Sequence, residues 1–468
     1  MTRRITYTAI IGGYDDLPEI ARRAPDSELV VFTDTPAALP RDTGWTIVPI
    51  RPFFTDNKIT SGFIKSNPHL LFGAEAVTLW LDASLAAVDT AALFAALEAA
   101  EGPVLTLDHT QRDTVAAEVE RVIAMRVERD GIARAHLARI RAAGFPDDRG
   151  LSALMMLGRD LRDPRTRLLD EAWWGCIATG VRRDQLSFDY ALWAAGIARS
   201  LLPPRHGAFG FKAEGHLKPA GRLLDRRSVP EELPGVAPAM PPLSRGYPTG
   251  IGYVAERFTP RAIDMLRAIN DRIAAVAPGG EVEGNYCFFH RAVVTPFSPP
   301  DPGRAWKREF LRRAVQGCRG VLEVGFNAGH SAVIMLEAEP ALALTAVDIC
   351  THPYTQPCAG LLGAAYGARF AFIPGDSRAV LGGIDGAAFD LVHIDGGHGA
   401  DVAAHDLGWF CRAARPGCRL LVDDVYAPAI ARLVQQACAA GLIAPLDYGF
   451  ASSGENALFV RSEGRGPA

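Results

Sequence analysis

Three carboxylates near the end of the chain could do chemistry together. Asp395 follows the apolar run Phe389-Asp-Leu-Val-His-Ile394, and the pair Asp423-Asp424 follows Arg419-Leu-Leu-Val422. If those runs are neighbouring strands, the three acids converge and repel one another unless a cation sits among them. Mg²⁺ suits such a place, because it takes a few carboxylates together with water and a substrate oxygen. A bound divalent ion lowers the pKa of a hydroxyl and makes an alkoxide-like nucleophile available. His398, three residues after Asp395, is placed to accept the proton, and imidazole titrates near neutral pH. The plainer alternative is that Asp423 and Asp424 cap a turn while His398 bonds water or backbone.

The elements that must position these acids are readable upstream. Val321-Leu-Glu323-Val reads as a buried strand, then Gly325-Phe-Asn327-Ala-Gly329 as a turn, then an apolar helix from Ala332. The glycines let the backbone turn sharply and approach a ligand where a side chain would collide. Such a turn alone can also bind a dinucleotide or simply join a strand to a helix. The next strand, Leu344-Thr-Ala-Val-Asp348, ends in an acid, which in doubly wound folds accepts hydrogen bonds from ribose hydroxyls. A third, Phe370-Ala-Phe-Ile, runs into Gly375-Asp376-Ser377. With the two runs above, five strands deliver polar residues at their carboxyl ends, where open α/β sheets bind ligands.

This last third of the chain resembles the class I S-adenosylmethionine-dependent methyltransferases, most closely the branch of sugar O-methyltransferases. The resemblance rests on Glu323-Val-Gly-x-x-x-Gly329, Val347-Asp348, Gly375-Asp376-Ser377, His393-Ile-Asp395-Gly-Gly-His398 and Leu421-Val-Asp423-Asp424. It implies a Rossmann-like doubly wound domain with S-adenosylmethionine as cofactor. Glu323, Gly325, Asn327 and Gly329 would form the turn at its methionine end, and Asp348 would hold the ribose. Asp376 and Ser377 would lie near the adenine, and Asp395 would face both cofactor and metal. Asp395 and His398 would then be catalytic, and Asp395, Asp423 and Asp424 the ligands of a Mg²⁺ ion. A dinucleotide site would show tighter G-x-G-x-x-G spacing, absent here. His330, His393 and His405 read as structural, whereas Arg378 and His352 could line the acceptor site.

The first part of the chain carries other marks. Ile5–Ile11, Leu29–Phe32, Val77–Leu81 and Val104–Leu107 are short β-rich runs between helical segments, which gives α/β character. The first ends in Gly12-Gly13-Tyr14-Asp15 and the second in Asp34; Leu79-Trp-Leu ends in Asp82-Ala-Ser84. A carboxylate at a strand end can hold Mn²⁺ or Mg²⁺ against a diphosphate, and Lys65 and Arg112 could bind phosphates. More plainly, a strand-end aspartate caps a turn.

These motifs, with Lys65-x-x-Pro68-His69, His109-x-x-Arg112 and Arg183-Asp184-Gln185-Leu-Ser-Phe188, are similar to a glycosyltransferase-like family shared by bacteria and plants. That likeness implies a GT-A-like nucleotide-sugar fold. Gly12, Gly13, Tyr14, Asp34, Lys65, His69, Asp82, His109 and Arg112 would bind the nucleotide-sugar, with Asp82 in the metal-binding role. This chain has Asp82-Ala-Ser84 where many such enzymes have Asp-x-Asp. Asp184 would be an acceptor-side base, and His216-Leu-Lys218 could reach the diphosphate.

The 468 residues suggest more than one domain. The expected division is 1–225 for the glycosyltransferase-like domain, 226–300 for a Pro-rich linker, and 301–462 for the methyltransferase domain. Within the linker, Ala262, Ile263, Met265, Leu266, Ile269 and Ile273 are spaced as on an amphipathic helix. A net charge of -4 offers no basic field, so nucleic acid is not an expected partner. No apolar run is long enough for a membrane span, and eight scattered cysteines without metal spacing read as buried reduced thiols. A cytoplasmic location is expected. The whole reads as a bifunctional enzyme whose partners are a nucleotide-sugar donor and a glycan or glycosylated small-molecule acceptor. The alternatives are a single methyltransferase with a non-catalytic glycan-binding first domain, or one acting on a small-molecule phenol.

Overall fold

The computed structural model describes residues 2–212 except 41, 54–56, 126, 179–180 and 203–206, and then 256, 258–397, 399–446 and 455–463. His398, His216, Lys218 and the Pro-rich stretch 226–250 lie outside the described residues. The chain divides into two compact units, 1–245 and 246–468.

In the first unit the strands of the main sheet are β1 (Arg3–Ile10), β2 (Ser27–Thr33), β3 (Thr46–Pro49), β4 (Ala76–Leu81), β5 (Val104–Asp108), β6 (Ser152–Asp160) and β7 (Ser200–Leu201). They form one sheet in the order β7-β5-β6-β4-β1-β2-β3. β6 runs antiparallel to both of its neighbours, and the other pairings are parallel. β4 is buried at every position, as expected for a strand covered on both faces. Helices α1 (Asn57–Ser66), α2 (Pro164–Ala178) and α3 (Gln185–Ala194) pack among themselves, α1 on α2 and α2 on α3, while α1 also meets β1 and α3 meets β6. Because β1 lies between the β2 side and the β4 side, the carboxyl ends of β1 and β4 mark the point where strand order reverses. Open sheets bind ligands there.

The second unit begins earlier than the expected domain boundary. Helix α4 (Pro260–Val276) starts on Thr259, whose side chain accepts the Ala262 N–H, with Pro260 at the first helical position. It buries Ala262, Ile263, Leu266, Ile269 and Ile273, the stripe expected from the sequence, and packs against α6 (His330–Ala338). The described residues of 256–300 are therefore part of this unit rather than a linker. Helix α5 (Ala305–Ala314) follows, and then β8 (Gly320–Val324), β9 (Ala343–Asp348), β10 (Phe370–Pro374), β11 (Leu391–Ile394), β12 (Arg419–Val422), β13 (Ile443–Pro445) and β14 (Ala457–Arg461). The sheet order is β10-β9-β8-β11-β12-β14-β13, with β14 antiparallel to β12 and β13. This is the expected Rossmann-like α/β sheet, with its reversal between β8 and β11. All eight cysteines are free thiols, six of them buried. No described helix is long and apolar enough to cross a membrane.

Candidate functional site

At the carboxyl end of the second sheet lies a cavity of about 940 Å³. The turn after β8 forms its floor. Gly325 has φ +98°, and a Cβ there would sit 2.0 Å from the Asp395 carbonyl oxygen. Gly329 has φ +86°, and Asn327 between them is also left-handed at φ +54°. Asp348, at the end of β9, holds this turn from the side. Its Oδ2 accepts the Asn327 N–H at 2.7 Å and its Oδ1 the Cys350 N–H at 2.7 Å. Each oxygen keeps a lone pair for a further donor. The buried Oδ1 of Asn327 has no hydrogen-bond partner, which fits a polar ligand that completes the turn. Asp376 caps the short helix Ser377–Val380 and pairs with Arg378 at 2.7 Å, holding its carboxyl down at about 2. The expected cofactor residues Gly325, Asn327, Gly329, Asp348, Asp376, Ser377 and Asp395 all line this one cavity.

Glu323 does not line it. It is fully buried in β8, where its Oε1 meets His393 Nδ1 at 3.2 Å. His393 Nε2 in turn meets the Tyr286 hydroxyl at 3.0 Å, and Asn456 Nδ2 donates to that hydroxyl at 2.8 Å. Glu323 thus orients a buried polar chain behind the cavity. His393 is held within this chain on both ring nitrogens.

Of the three acids, Asp395 and Asp423 come close together, and Asp424 lies outside their close group. Asp395, Asp423 and Asp424 line the cavity, joined by Glu455. One oxygen each of Asp395 and Asp423 and a ring nitrogen of His393 lie within 4.8 Å of one another. Asp395 titrates well above the usual carboxylate range, because burial and the neighbouring Asp423 both oppose its charge. Burial opposes the charge on Asp423 too, but Lys307 at 2.7 Å outweighs it and keeps that carboxyl low. Seven carboxylates line the cavity (Glu283, Asp348, Asp376, Asp395, Asp423, Asp424 and Glu455) against three permanent cations, Arg304, Lys307 and Arg378. Such an excess fits a cationic ligand, and a divalent ion among Asp395, Asp423 and Asp424 fits the same balance.

Sequence reasoning missed the wall formed by Glu283, Asn285, His290, Arg304 and Lys307, all N-terminal to the sheet. A signal for Lys307 was present. It stands with Phe310, Leu311 and Ala314 at helical spacing on the buried face of α5, where an unpaired lysine is rarely found. Arg378 and His352 also line the cavity, Arg378 paired with Asp376 and His352 with Glu283.

In the first unit a second polar cluster gathers at the strand-order reversal. Gly12 and Gly13 turn the chain after β1 at φ +75° and +57°, and the Gly12 N–H donates to Asp34 Oδ1 at 2.7 Å. Lys65, in the last turn of α1, places its Nζ 2.7 Å from Asp184 and 3.6 Å from Asp82. Trp80 Nε1 donates to Asp82 Oδ1 at 2.7 Å. Tyr14 is near enough that, after burial itself, the charges of Asp82 and Asp15 hold its hydroxyl up. So Gly12, Gly13, Tyr14, Asp34, Lys65, Asp82 and Asp184 share one edge.

Other residues expected there have different partners. Buried His69 bonds Asp170 at 3.1 Å, and Asp170 holds the fully buried Arg159 at 2.6 Å. His109 Nδ1 accepts the Arg112 N–H at 3.1 Å, and Arg112 pairs with buried Glu118. The expected role of Asp184 as a base meets a physical objection. Although burial alone would raise its carboxyl, Lys65, Arg183 and Lys58 pull it well below the usual range, leaving a counter-ion rather than a proton acceptor.

Comparison with known proteins bears on the second unit. Residues 322–425 match a family model described as a methyltransferase domain. No curated protein matches the chain. Similar solved structures include the O-methyltransferase TomG from Streptomyces achromogenes in complex with SAM, at 17% identity over 34% of this chain and 80% of that one, with a TM-score of 0.29. An O-methyltransferase from Bacillus cereus in complex with SAH gives 16%, 44%, 92% and 0.31. Cofactor-bound Rv0187 from MTB gives 21%, 43%, 90% and 0.33. At these identities and scores the likeness carries no argument about function. The family match and the Rossmann-like sheet agree, and the second unit of this protein contains a methyltransferase domain.

Proposed function

We propose that the second unit transfers the methyl group of S-adenosylmethionine to a hydroxyl oxygen, with a sugar hydroxyl as the acceptor. The observation that carries this reading is the single cavity in which the Gly325–Gly329 turn, Asp348, Asp376 and the acid group at Asp395 and Asp423 all meet. S-adenosylmethionine, when bound, supplies the methyl as a sulfonium, whose positive charge suits the acidic lining. Asp348 offers its remaining lone pairs to ribose hydroxyls, and the glycine turn admits the methionine end without side-chain collision. Asp395, Asp423 and Asp424 would hold a divalent ion, which when bound would lower the pKa of the acceptor hydroxyl. Lys307 holds Asp423 ionised, and the 283–304 wall would position the acceptor for in-line approach. His398, adjoining this edge in sequence, is the proposed proton acceptor.

For the first unit we infer a nucleotide-sugar transferase working on the same glycan, in a soluble cytoplasmic protein. Supporting this is the cluster of Gly12, Gly13, Asp34, Lys65 and Asp82 at the reversal of strand order. Fusing two such activities keeps the product of one near the other.

Calorimetric titration of S-adenosylmethionine into wild type and Asp348→Ala tests the methyltransferase reading. Micromolar binding that weakens at least about 30-fold in the variant is expected, since two or more charge-assisted hydrogen bonds are lost. Absence of binding to the wild type, with and without Mg²⁺, would sink it.

A further inference from the structure

The two polar clusters differ in charge balance. In the second unit, seven carboxylates face three permanent cations. In the first, Lys65 belongs to a connected network containing Lys58, Arg112, Arg182 and Arg183 against Asp82, Glu118, Glu128 and Asp184. Five cations there meet four carboxylates, and adding Asp34 and the Asp15–Lys212 pair of the same edge makes six of each, a balance rather than the acid excess of the second unit.

The geometry is equally specific. The Lys65 ammonium is buried, 2.7 Å from Asp184 Oδ2 and 3.6 Å from Asp82 Oδ1, and lies 5.3 Å from the centre of the Trp80 ring. One oxygen of each carboxylate has a further donor. Asp82 Oδ1 receives the Trp80 indole N–H, and Asp184 Oδ1 receives the Gln185 backbone N–H at 3.1 Å. A divalent ion needs several oxygens at about 2.0–2.6 Å around one centre, and here an ammonium occupies the place between the two acids. The lysine is anchored from behind. Its carbonyl accepts the Tyr7 hydroxyl at 3.0 Å and an Arg159 N–H at 2.5 Å, and Arg159 is itself fixed by Asp170.

We propose that Lys65 is the resident cation of this site, standing between Asp82 and Asp184 in place of a metal ion, so that a nucleoside diphosphate is bound there without a divalent cation. The inference rests on the nucleotide-sugar reading above. An ammonium carries three donors, so with two directed at the carboxylates one remains for a phosphate oxygen.

The test is made on the full chain by counting bound Mn²⁺ with electron paramagnetic resonance in wild type, Asp82→Asn and Lys65→Met. Asp82→Asn is expected to leave the wild-type count unchanged, because any ion bound sits in the second unit. Lys65→Met is expected to gain one equivalent, which Asp82→Asn then removes. A wild type that loses an equivalent on Asp82→Asn overturns the proposal, as does a folded Lys65→Met that gains none. Should Lys65→Met fail to fold, by circular dichroism, the wild-type and Asp82→Asn pair decides alone. Titration of UDP and of GDP supplies the second arm. Affinity in EDTA within 2-fold of that in Mn²⁺ supports the proposal, and binding that requires Mn²⁺ overturns it. If neither nucleotide binds under any condition, the nucleotide-sugar reading fails, and the metal-free diphosphate site proposed on it fails too. The Mn²⁺ count then still reports whether Lys65 stands in a metal's place.

Discussion

Replacing Gly325 with alanine tests the closest backbone approach in the second unit. The added Cβ would lie 2.0 Å from the Asp395 carbonyl oxygen and 2.5 Å from its carbon. Non-bonded heavy atoms settle at about 3.5–4 Å, so the ends of β8 and β11 must part by more than about 1 Å. Neither obstacle is a flexible side chain. Forced packing of this kind costs about 1–3 kcal/mol, and holding alanine at φ +98° costs about 1–3 kcal/mol more. The sum, about 2–6 kcal/mol, is a large part of a typical total of about 5–15 kcal/mol. At about 2–4 °C per kcal/mol, the calorimetric transition of the second unit should fall by roughly 4–24 °C. Displacing the turn should also weaken S-adenosylmethionine binding, because the close backbone approach is lost. Gly441→Ala is the control, because φ is +67° there but no atom lies within 4 Å of the new Cβ. It should cost about 1–2 kcal/mol and leave binding intact. A Gly325→Ala protein that melts with the wild type and binds the cofactor within 2-fold would refute the reasoning.

Lys307→Met should cost about 3–5 kcal/mol in urea unfolding, because it leaves Asp423 buried and unpaired. Adding Asp423→Asn should recover most of that loss. Burial opposes the charge on Lys307, but Asp423 outweighs it and raises its pKa. The contribution should therefore be complete below about pH 10.4 and disappear as pH rises through the folded value. His330 behaves oppositely. Burial, aided by Arg308, holds it neutral with a pKa of about 3, while the unfolded chain takes up a proton near 6.5. Wild type should lose about 1.4 kcal/mol per pH unit below 6.5 relative to His330→Gln, and a parallel pH profile for the two proteins would count against this.

Much of the second sheet was legible because its signals are local. Each parallel strand is a short apolar run ending in glycine or acid, and the expected Arg419–Val422 is β12 itself. The expected strand at Phe389 begins instead at Leu391, since Phe389 and Asp390 form the turn that enters it. Long-range contacts were not legible. Nothing near Lys307 in sequence announces Asp423, and β6 pairs antiparallel between β4 and β5 across long separations. Glu323 was expected at the cofactor as part of the Glu323-Val-Gly-x-x-x-Gly329 motif. Placed one residue before the strand's end, it points instead into the interior toward His393. His69 likewise lies four residues after Lys65, yet the chain breaks at Asn67 between two helices and His69 meets Asp170 instead.

The anchoring of β1 in the first unit also governs its birth on the ribosome. Tyr7 is held by Arg159, and β1 pairs with β4, whose other edge is covered by β6 at Ser152–Asp160. At about 5–20 residues per second, the interval between making residue 10 and residue 160 is about 8–30 s. Throughout that time the fully buried Tyr7 waits for its partner, and once residue 81 has been made β4 has an open edge as well. Vectorial synthesis therefore leaves this unit uncommitted until its antiparallel strand emerges. A translational pause upstream of Ser152 should prolong exposure to chaperones, whereas one placed after Asp170 should be harmless to this unit's central strands.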